Sequence, residues 1–86
     1  MQENDSKRNR LIYRANYRGT KEMDMLIGTF AKKIVPTLDE TQLPEFEAFL
    51  NEEDPDLFKW YSDKGGVPEG HMTSVMKLFL AFDYSV

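Results

Sequence analysis

The apolar residues between positions 23 and 35 constrain the fold of this chain more than any other feature of its sequence. They recur three and four residues apart, which is the spacing of a helix that turns one face towards a core. They are Met23, Leu26, Ile27, Phe30, Ala31, Ile34 and Val35. Acidic residues open this stretch and two lysines close it, as the helix dipole favours. We therefore predict a helix that Thr20 caps and Pro36 stops.

The remaining sequence contains four shorter segments with helical spacing and no convincing strand alternation. Their boundaries follow from capping residues, prolines and glycines. The first predicted helix covers residues 6–17, with Ser6 as its N-cap, and another begins at Thr41, with Pro44 in its first turn. A further helix begins with Asp54 as its N-cap and ends at a left-handed glycine at position 65 or 66, and the last covers residues 71–82. We predict an all-α fold, a compact single-domain bundle of five short helices over residues 1–86, with residues 1–5 disordered and the last few residues frayed.

Three residues of these helices raise questions of packing. Gly28 costs the second helix about 1 kcal/mol relative to alanine, so we predict that another helix approaches it closely. Phe58 and Trp60 either seal the core or form an exposed aromatic anchor. The rarity of exposed tryptophan favours the core.

The composition excludes several kinds of site. The 86 residues include no cysteine, which rules out disulfides and thiolate metal sites, and the lone His71 argues against zinc. No apolar run approaches the roughly 20 residues that a membrane span requires, so we expect no direct membrane insertion. The first residues lack the basic and apolar regions of a secretory signal. We predict a soluble, cytoplasmic protein that is a monomer when free.

Charge is distributed unevenly along the chain, whose net charge is −4. Residues 1–21 contain six Lys or Arg, whereas residues 37–58 contain eight acidic residues and no basic one. This asymmetry indicates either an oriented partner or two parts of one bundle that attract each other. An acidic protein with one short basic segment is a poor candidate for nucleic-acid binding, which depends on many phosphate contacts.

No group of residues forms a convincing catalytic site. His71 is most simply an exposed or capping residue, and the carboxylates occupy outward helix faces and first turns. The segment from Arg18 to Glu22 is different. Arg18 offers a planar fork of donors, Gly19 allows close backbone approach, and Glu22 can accept hydrogen bonds from a partner. Alternatively, an Arg18–Glu22 pair fixes the angle between the first two helices.

Two motifs carry a resemblance to a known family. Residues 11–31, with the RGxxE pattern at 18–22, resemble the corresponding region of the SdhE-type flavinylation assembly factors, small bacterial relatives of the mitochondrial succinate dehydrogenase assembly factor. The DPDLFKW run at 54–60 is similar to that family's acidic segment. Asn16 and Tyr17 stand where the family often has basic residues, and Thr20 stands where it often has methionine.

The resemblance implies a five-helix, non-enzymatic protein that binds the flavoprotein subunit of succinate dehydrogenase or fumarate reductase. Such proteins promote covalent attachment of FAD to a histidine of that subunit, so the FAD belongs to the partner and this chain needs no cofactor of its own. It also implies that a docking corner (Arg18, Gly19 and Glu22, supported by Tyr13, Arg14 and Asp24) contacts the partner. We expect Arg18→Ala and Glu22→Ala to impair flavinylation without affecting folding. The alternatives are an antitoxin-like regulatory module with an unrelated target and a nucleic-acid binder.

Overall fold

The structure is a computed structural model that describes the backbone of residues 3–84 and the side chains of residues 6–84. Within this range the chain forms five α-helices and no strand. The helices are α1 (Glu3–Ala15), α2 (Lys21–Ile34), α3 (Leu43–Leu50), α4 (Asp54–Asp63) and α5 (Ser74–Ala81). Short 3₁₀ turns at Val35–Thr37 and Glu69–His71 follow α2 and precede α5. The predicted all-α class and helix count are confirmed. The expectations for residues 1–2 and 85–86 lie outside the described residues.

The second helix forms as predicted from its periodicity. Thr20 Oγ1 accepts a hydrogen bond of 3.2 Å from the backbone N–H of Met23, which confirms the cap. The apolar stripe faces the core, and Pro36 lies in the 3₁₀ turn that ends the helix. A close approach at Gly28 is confirmed, because a Cβ at that position would clash with Asn16 Oδ1, but the neighbour is a turn residue and not a helix as predicted. Asn16 belongs to the segment that follows α1, and α1 packs against α2.

Phe30 of α2 is the centre of the core. It is fully buried, and its ring centroid lies 5.3 Å from those of Phe79 and Phe82, 5.5 Å from that of Phe49 and 6.1 Å from that of Phe46. Rings at these separations and tilts stabilise a core beyond the area they bury. Helix α3 packs against both α1 and α5, and α4 packs against α5. Aromatic residues from α2, α3 and the C-terminal region therefore hold the bundle together.

Helices α1 and α5 begin elsewhere than predicted. Helix α1 starts at Glu3, so Ser6 is not its N-cap. An acidic start suits the dipole of a helix, which explains the longer α1. Helix α5 starts at Ser74 rather than His71, because Thr73 caps it by accepting a 3.1 Å hydrogen bond from the backbone N–H of Met76.

Helix α4 also differs from the prediction at both ends. Its N-cap residue is Glu53 rather than Asp54, whose carboxylate forms an ion pair with Arg18 instead. At the other end Lys64, and not a glycine, adopts the left-handed conformation, with φ 56°. The Lys64 ammonium lies 3.6 Å from the centre of the Tyr61 ring, a cation–π contact that offsets the backbone strain.

Helix α3 begins at Leu43 rather than Thr41, and Pro44 lies in its first turn as predicted. The turn before it contains a reciprocal pair of hydrogen bonds. The backbone N–H of Asp39 donates to Gln42 Oε1 at 3.1 Å, and the backbone N–H of Gln42 donates to Asp39 Oδ1 at 2.9 Å. These are the bonds of a capping box, here closing the turn before the regular helix instead of its first turn.

Because of Asp39, we expect the stability of this turn to decrease at acid pH. Two hydrogen bonds lower the pKa of Asp39 below its usual value of 3.8, and the bond from the Thr41 hydroxyl has a larger effect than the bond from the backbone N–H of Gln42. Because the folded pKa is the lower one, the carboxylate stabilises the fold above the unfolded pKa, and this contribution is lost as pH falls through the folded pKa. We expect Asp39→Asn to remove that part of the acid dependence below about pH 4.

Urea unfolding of Asp39→Asn at several pH values measures this effect. The exposed Glu47→Gln substitution on α3 is the matched control. An acid dependence of Asp39→Asn equal to that of the wild type and of the control would contradict the assignment.

Candidate functional site

The largely buried side chain of Arg18 anchors the segment between α1 and α2 to other parts of the chain. Its guanidinium donates hydrogen bonds to the backbone carbonyls of Leu50, at 2.5 Å, and Glu52, at 2.6 Å. Arg18 Nε and Asp54 Oδ1 form an ion pair at 2.9 Å. Only 10% of the Arg18 side chain is exposed. Arg18 therefore ties this segment to the turn between α3 and α4, and within the described part of the chain it forms no pair with Glu22.

Asp24 fixes the same segment from the α2 side. Its Oδ1 accepts hydrogen bonds from the backbone N–H of Arg18 and, at 3.2 Å, from that of Gly19. Its own backbone N–H donates to the carbonyl of Thr20 at 2.8 Å. A carboxylate in the first turn is also favoured by the helix dipole. Asp24 and Arg18 thus determine the shape of the docking corner.

Gly19 has a backbone conformation that favours glycine. Its φ of +146° lies in a region that residues with a Cβ rarely adopt. A Cβ built at this position would meet nothing nearer than Asp54 Oδ2, at 3.8 Å. Conformation, rather than crowding within the chain, explains this glycine. Gly19 is exposed, and the approach of a partner backbone to it stays a prediction.

Other members of the docking corner face solvent. The side chain of Glu22 is exposed and makes no hydrogen bond or ion pair with any described residue. Tyr13 is 65% exposed and Tyr17 is 69% exposed, with ring centroids 4.7 Å apart. Tyr17 is absent from the residues predicted for the corner. Its spacing of four residues from Tyr13 was the available signal, because residues four apart lie on one side of a helical turn.

Two arginines of α1, Arg8 and Arg14, bind to the chain itself. Arg8 Nη1 donates to the carbonyl of Val35 at 2.5 Å, and Arg14 Nη2 donates to Asn51 Oδ1 at 3.1 Å. Arg14 and the Arg18–Asp54 ion pair tie the basic segment to the α3–α4 region, whereas Arg8 ties it to the end of α2. One of these contacts, Arg18–Asp54, joins opposite charges, as attraction within the bundle predicts.

The two aromatic residues in question on α4 have different environments. Trp60 is buried, with 7% exposure, which confirms its place in the core. Phe58 is 56% exposed and lines a groove between α2 and α4. The interior positions of α4 are Leu57 and Trp60, three residues apart. A helical projection would have shown this from the sequence, because Leu57 and Trp60 share one face of α4 and Phe58 lies on another.

His71 is an exposed residue, as predicted. Its Nδ1 lies 2.5 Å from Glu52 Oε2, at the edge of a hollow of about 320 Å³. Its ring also lies beside that of Trp60, with centroids 6.2 Å apart. Among residues 6–84 no group of three or more histidine or acidic side chains is arranged to hold a metal ion.

Comparison with known proteins identifies the family. Residues 9–83 match the family described as flavinator of succinate dehydrogenase, a range that covers more than half of α1 and the whole of α2 to α5. The chain belongs to this flavinator family. The resemblance to succinate dehydrogenase assembly factors is thereby confirmed. The assignment of RGxxE as the docking motif stays a prediction.

Curated relatives of this flavinator-family chain are named "Succinate dehydrogenase assembly factor 2, mitochondrial". The protein of Dictyostelium discoideum is 41% identical over 71 residues, which are 83% of this chain and 50% of the relative. That of Danio rerio is 35% identical over 80 residues, or 91% of this chain and 51% of the relative. That of Saccharomyces cerevisiae (strain ATCC 204508 / S288c) is 43% identical over 56 residues, or 65% and 35%. The chain spans about half the length, or less, of these relatives.

The predicted cytoplasmic location is wrong. The flavinator-family relatives are named as mitochondrial proteins, which points to the mitochondrion. A targeting segment is separate from the folded domain it directs, so the composition of a domain does not report its compartment. No helix in the described range is long and apolar enough to cross a membrane.

Proposed function

We propose that this chain binds the flavoprotein subunit of succinate dehydrogenase, or of fumarate reductase, and promotes covalent attachment of FAD to it. The match of residues 9–83 to a family of flavinators carries this proposal. The names of the relatives, which are assembly factors, support it. In this proposal the FAD belongs to the partner, and the chain acts as a binding protein and not as an enzyme.

The mechanism we propose is the selection of one partner conformation. Covalent attachment requires the accepting histidine and the flavin ring of the partner to be aligned. A protein that binds the aligned conformation more tightly than the others raises its population. Correct positioning alone can lower the barrier of such a step by several kcal/mol. The chain then needs no proton donor or nucleophile of its own.

In the docking corner, the inner residues maintain the backbone conformation and the outer residues are available to the partner. Arg18 and Asp24 hold the segment in shape through hydrogen bonds to the chain itself. Arg14 contacts Asn51 and still lies on the surface. The exposed Glu22 and Tyr13, beside Gly19, offer an acceptor and an aromatic face to the partner. We infer that these outer residues make the contacts on which flavinylation depends.

Replacing Glu22 tests the outer part of the corner. Because Glu22 is exposed and unpaired among the described residues, we expect Glu22→Ala to keep the wild-type melting temperature. We expect it to reduce covalent flavin on the coexpressed flavoprotein subunit roughly tenfold, the effect of losing an interface contact of about 1.4 kcal/mol. In-gel flavin fluorescence measures the bound flavin, and Glu47→Ala, an exposed change on α3, is the matched control.

Wild-type flavin fluorescence with a folded Glu22→Ala variant would refute the corner assignment. An affinity purification distinguishes the wider alternatives. Recovery of a flavoprotein subunit with the wild-type chain supports the proposed function. Recovery of an unrelated protein in its place would favour a regulatory binding module.

A further inference from the structure

An apolar groove with one prominent aromatic side chain runs between α2 and α4. Two adjoining hollows of about 380 and 460 Å³ form this α2–α4 groove, and Glu22, Met23 and Phe58 line both of them. Phe58 is 56% exposed, although large apolar side chains are usually buried. The core of α4 does not need it, since Leu57 and Trp60 fill the interior positions.

The far end of the groove is held firmly in place. The hydroxyl of Tyr61 donates to the carbonyl of Phe82 at 2.7 Å and accepts from the backbone N–H of Tyr84 at 3.0 Å. These bonds hold the C-terminal segment against α4, where Tyr84 and Asp83 line the groove. The groove is therefore formed before any ligand binds, which lowers the entropic cost of filling it.

The rim of the groove carries more negative than positive charge. Asp54 is neutralised by Arg18, so that among the remaining lining residues Lys64, whose ammonium lies over the Tyr61 ring, is one basic group against the two carboxylates of Glu22 and Asp83. Glu22 and Asp83 make no ion pair with any residue between 6 and 84. An apolar floor with an acidic rim favours a ligand whose apolar side chains are flanked by basic ones.

We propose that the α2–α4 groove binds an apolar segment of the flavoprotein subunit that is flanked by Lys or Arg, with Phe58 as its central anchor. This inference rests on the proposed function and extends the docking corner, because Glu22 belongs to both surfaces. A second copy of this chain fits less well. A twofold contact would bring two acidic rims together in a chain of net charge −4.

Substitution of Phe58 tests the anchor. Binding of the purified flavoprotein subunit should weaken at least about tenfold in Phe58→Ser, as expected for an interface hot spot. Leu78→Ser, which alters an apolar side chain on α5 that is 38% exposed, should change affinity less than about twofold. Asp83→Asn should leave folding intact and reduce the dependence of the association rate on salt. Equal affinities for Phe58→Ser and Leu78→Ser, or an unchanged salt dependence, would overturn the proposal.

A photo-crosslinker identifies the ligand directly. With p-benzoylphenylalanine in place of Phe58 and the flavoprotein subunit as the probe, we expect a crosslinked partner peptide with apolar residues flanked by Lys or Arg. A peptide without basic residues, or a crosslink to a second copy of this chain, would overturn the inference. If wild-type chain captures the subunit but position 58 gives no crosslink, the inference alone fails. If wild-type chain does not capture the subunit, the proposed function fails with it.

Discussion

We expect Arg18→Ala to lower the free energy of unfolding by about 3 kcal/mol. The substitution removes one partner of an ion pair in which the Asp54 side chain is only 20% exposed. It also leaves the carbonyls of Leu50 and Glu52 without their donors. Urea unfolding followed by circular dichroism measures the change. Arg10→Ala is the matched control, because Arg10 is an exposed arginine of α1 whose side chain forms no hydrogen bond with any described residue.

The conservative variant separates charge from geometry. Lysine keeps the positive charge but lacks the planar fork, so it cannot reach two carbonyls and a carboxylate together. Arg18→Lys should therefore lie between the wild type and Arg18→Ala in stability. Unfolding of Arg18→Ala at the same urea concentration as Arg10→Ala would refute the structural role. This expectation replaces the one drawn from the sequence, in which Arg18→Ala left folding intact.

The second large effect is expected at Gly28. We expect Gly28→Val to lower the free energy of unfolding by about 3 kcal/mol, because added bulk must displace Asn16. Movement of Asn16 breaks the 2.9 Å hydrogen bond from its Nδ2 to the carbonyl of Ile12 and separates α1 from α2. Thermal and urea unfolding measure the loss. Thr29→Val, on the exposed side of the same helix, introduces the same side chain and should change stability little.

A double-mutant cycle tests the cause of the Gly28 effect. In the Asn16→Ala background, Oδ1 and Cγ, the two Asn16 atoms nearest to a Cβ at Gly28, are gone, and the nearest remaining atom is the Asn16 Cα, at 3.5 Å. Gly28→Ala should then be neutral or stabilising by up to about 1 kcal/mol, the helix-propensity gain of alanine. A destabilisation by Gly28→Ala that is equal in both backgrounds would contradict the assigned contact.

Local signals in the sequence were sufficient to predict the central helix. The spacing of Met23 to Val35, the Thr20 cap and the stop at Pro36 all act within a few residues of one another. Because these interactions are local, they could be predicted from the sequence, and the structure confirms them. The unusual glycine at position 28 likewise predicted a close neighbour, although it did not identify Asn16.

Contacts between distant parts of the chain could not be predicted in the same way. Arg18 has a potential partner four residues away in Glu22, but it binds Asp54, which is 36 residues away. That ion pair also explains why Asp54 does not cap α4. Because Arg18 is turned inward, the outward surface of the docking corner keeps Gly19 and Glu22 of the motif but not its arginine.

The mitochondrial location of the relatives could not be predicted from this chain either. The folded domain needs the same core in either compartment. Its acidic composition and its lack of cysteine are compatible with both. Only the comparison with named relatives corrected that prediction.

The rate at which a purified flavoprotein subunit acquires covalent FAD, with and without this chain, tests the central claim most directly. We predict that the wild-type chain raises that rate at least about tenfold, as positioning of two reacting groups allows. We predict that Glu22→Ala, folded as the wild type, leaves it close to the unassisted rate. Equal rates with and without the wild-type chain would contradict the account.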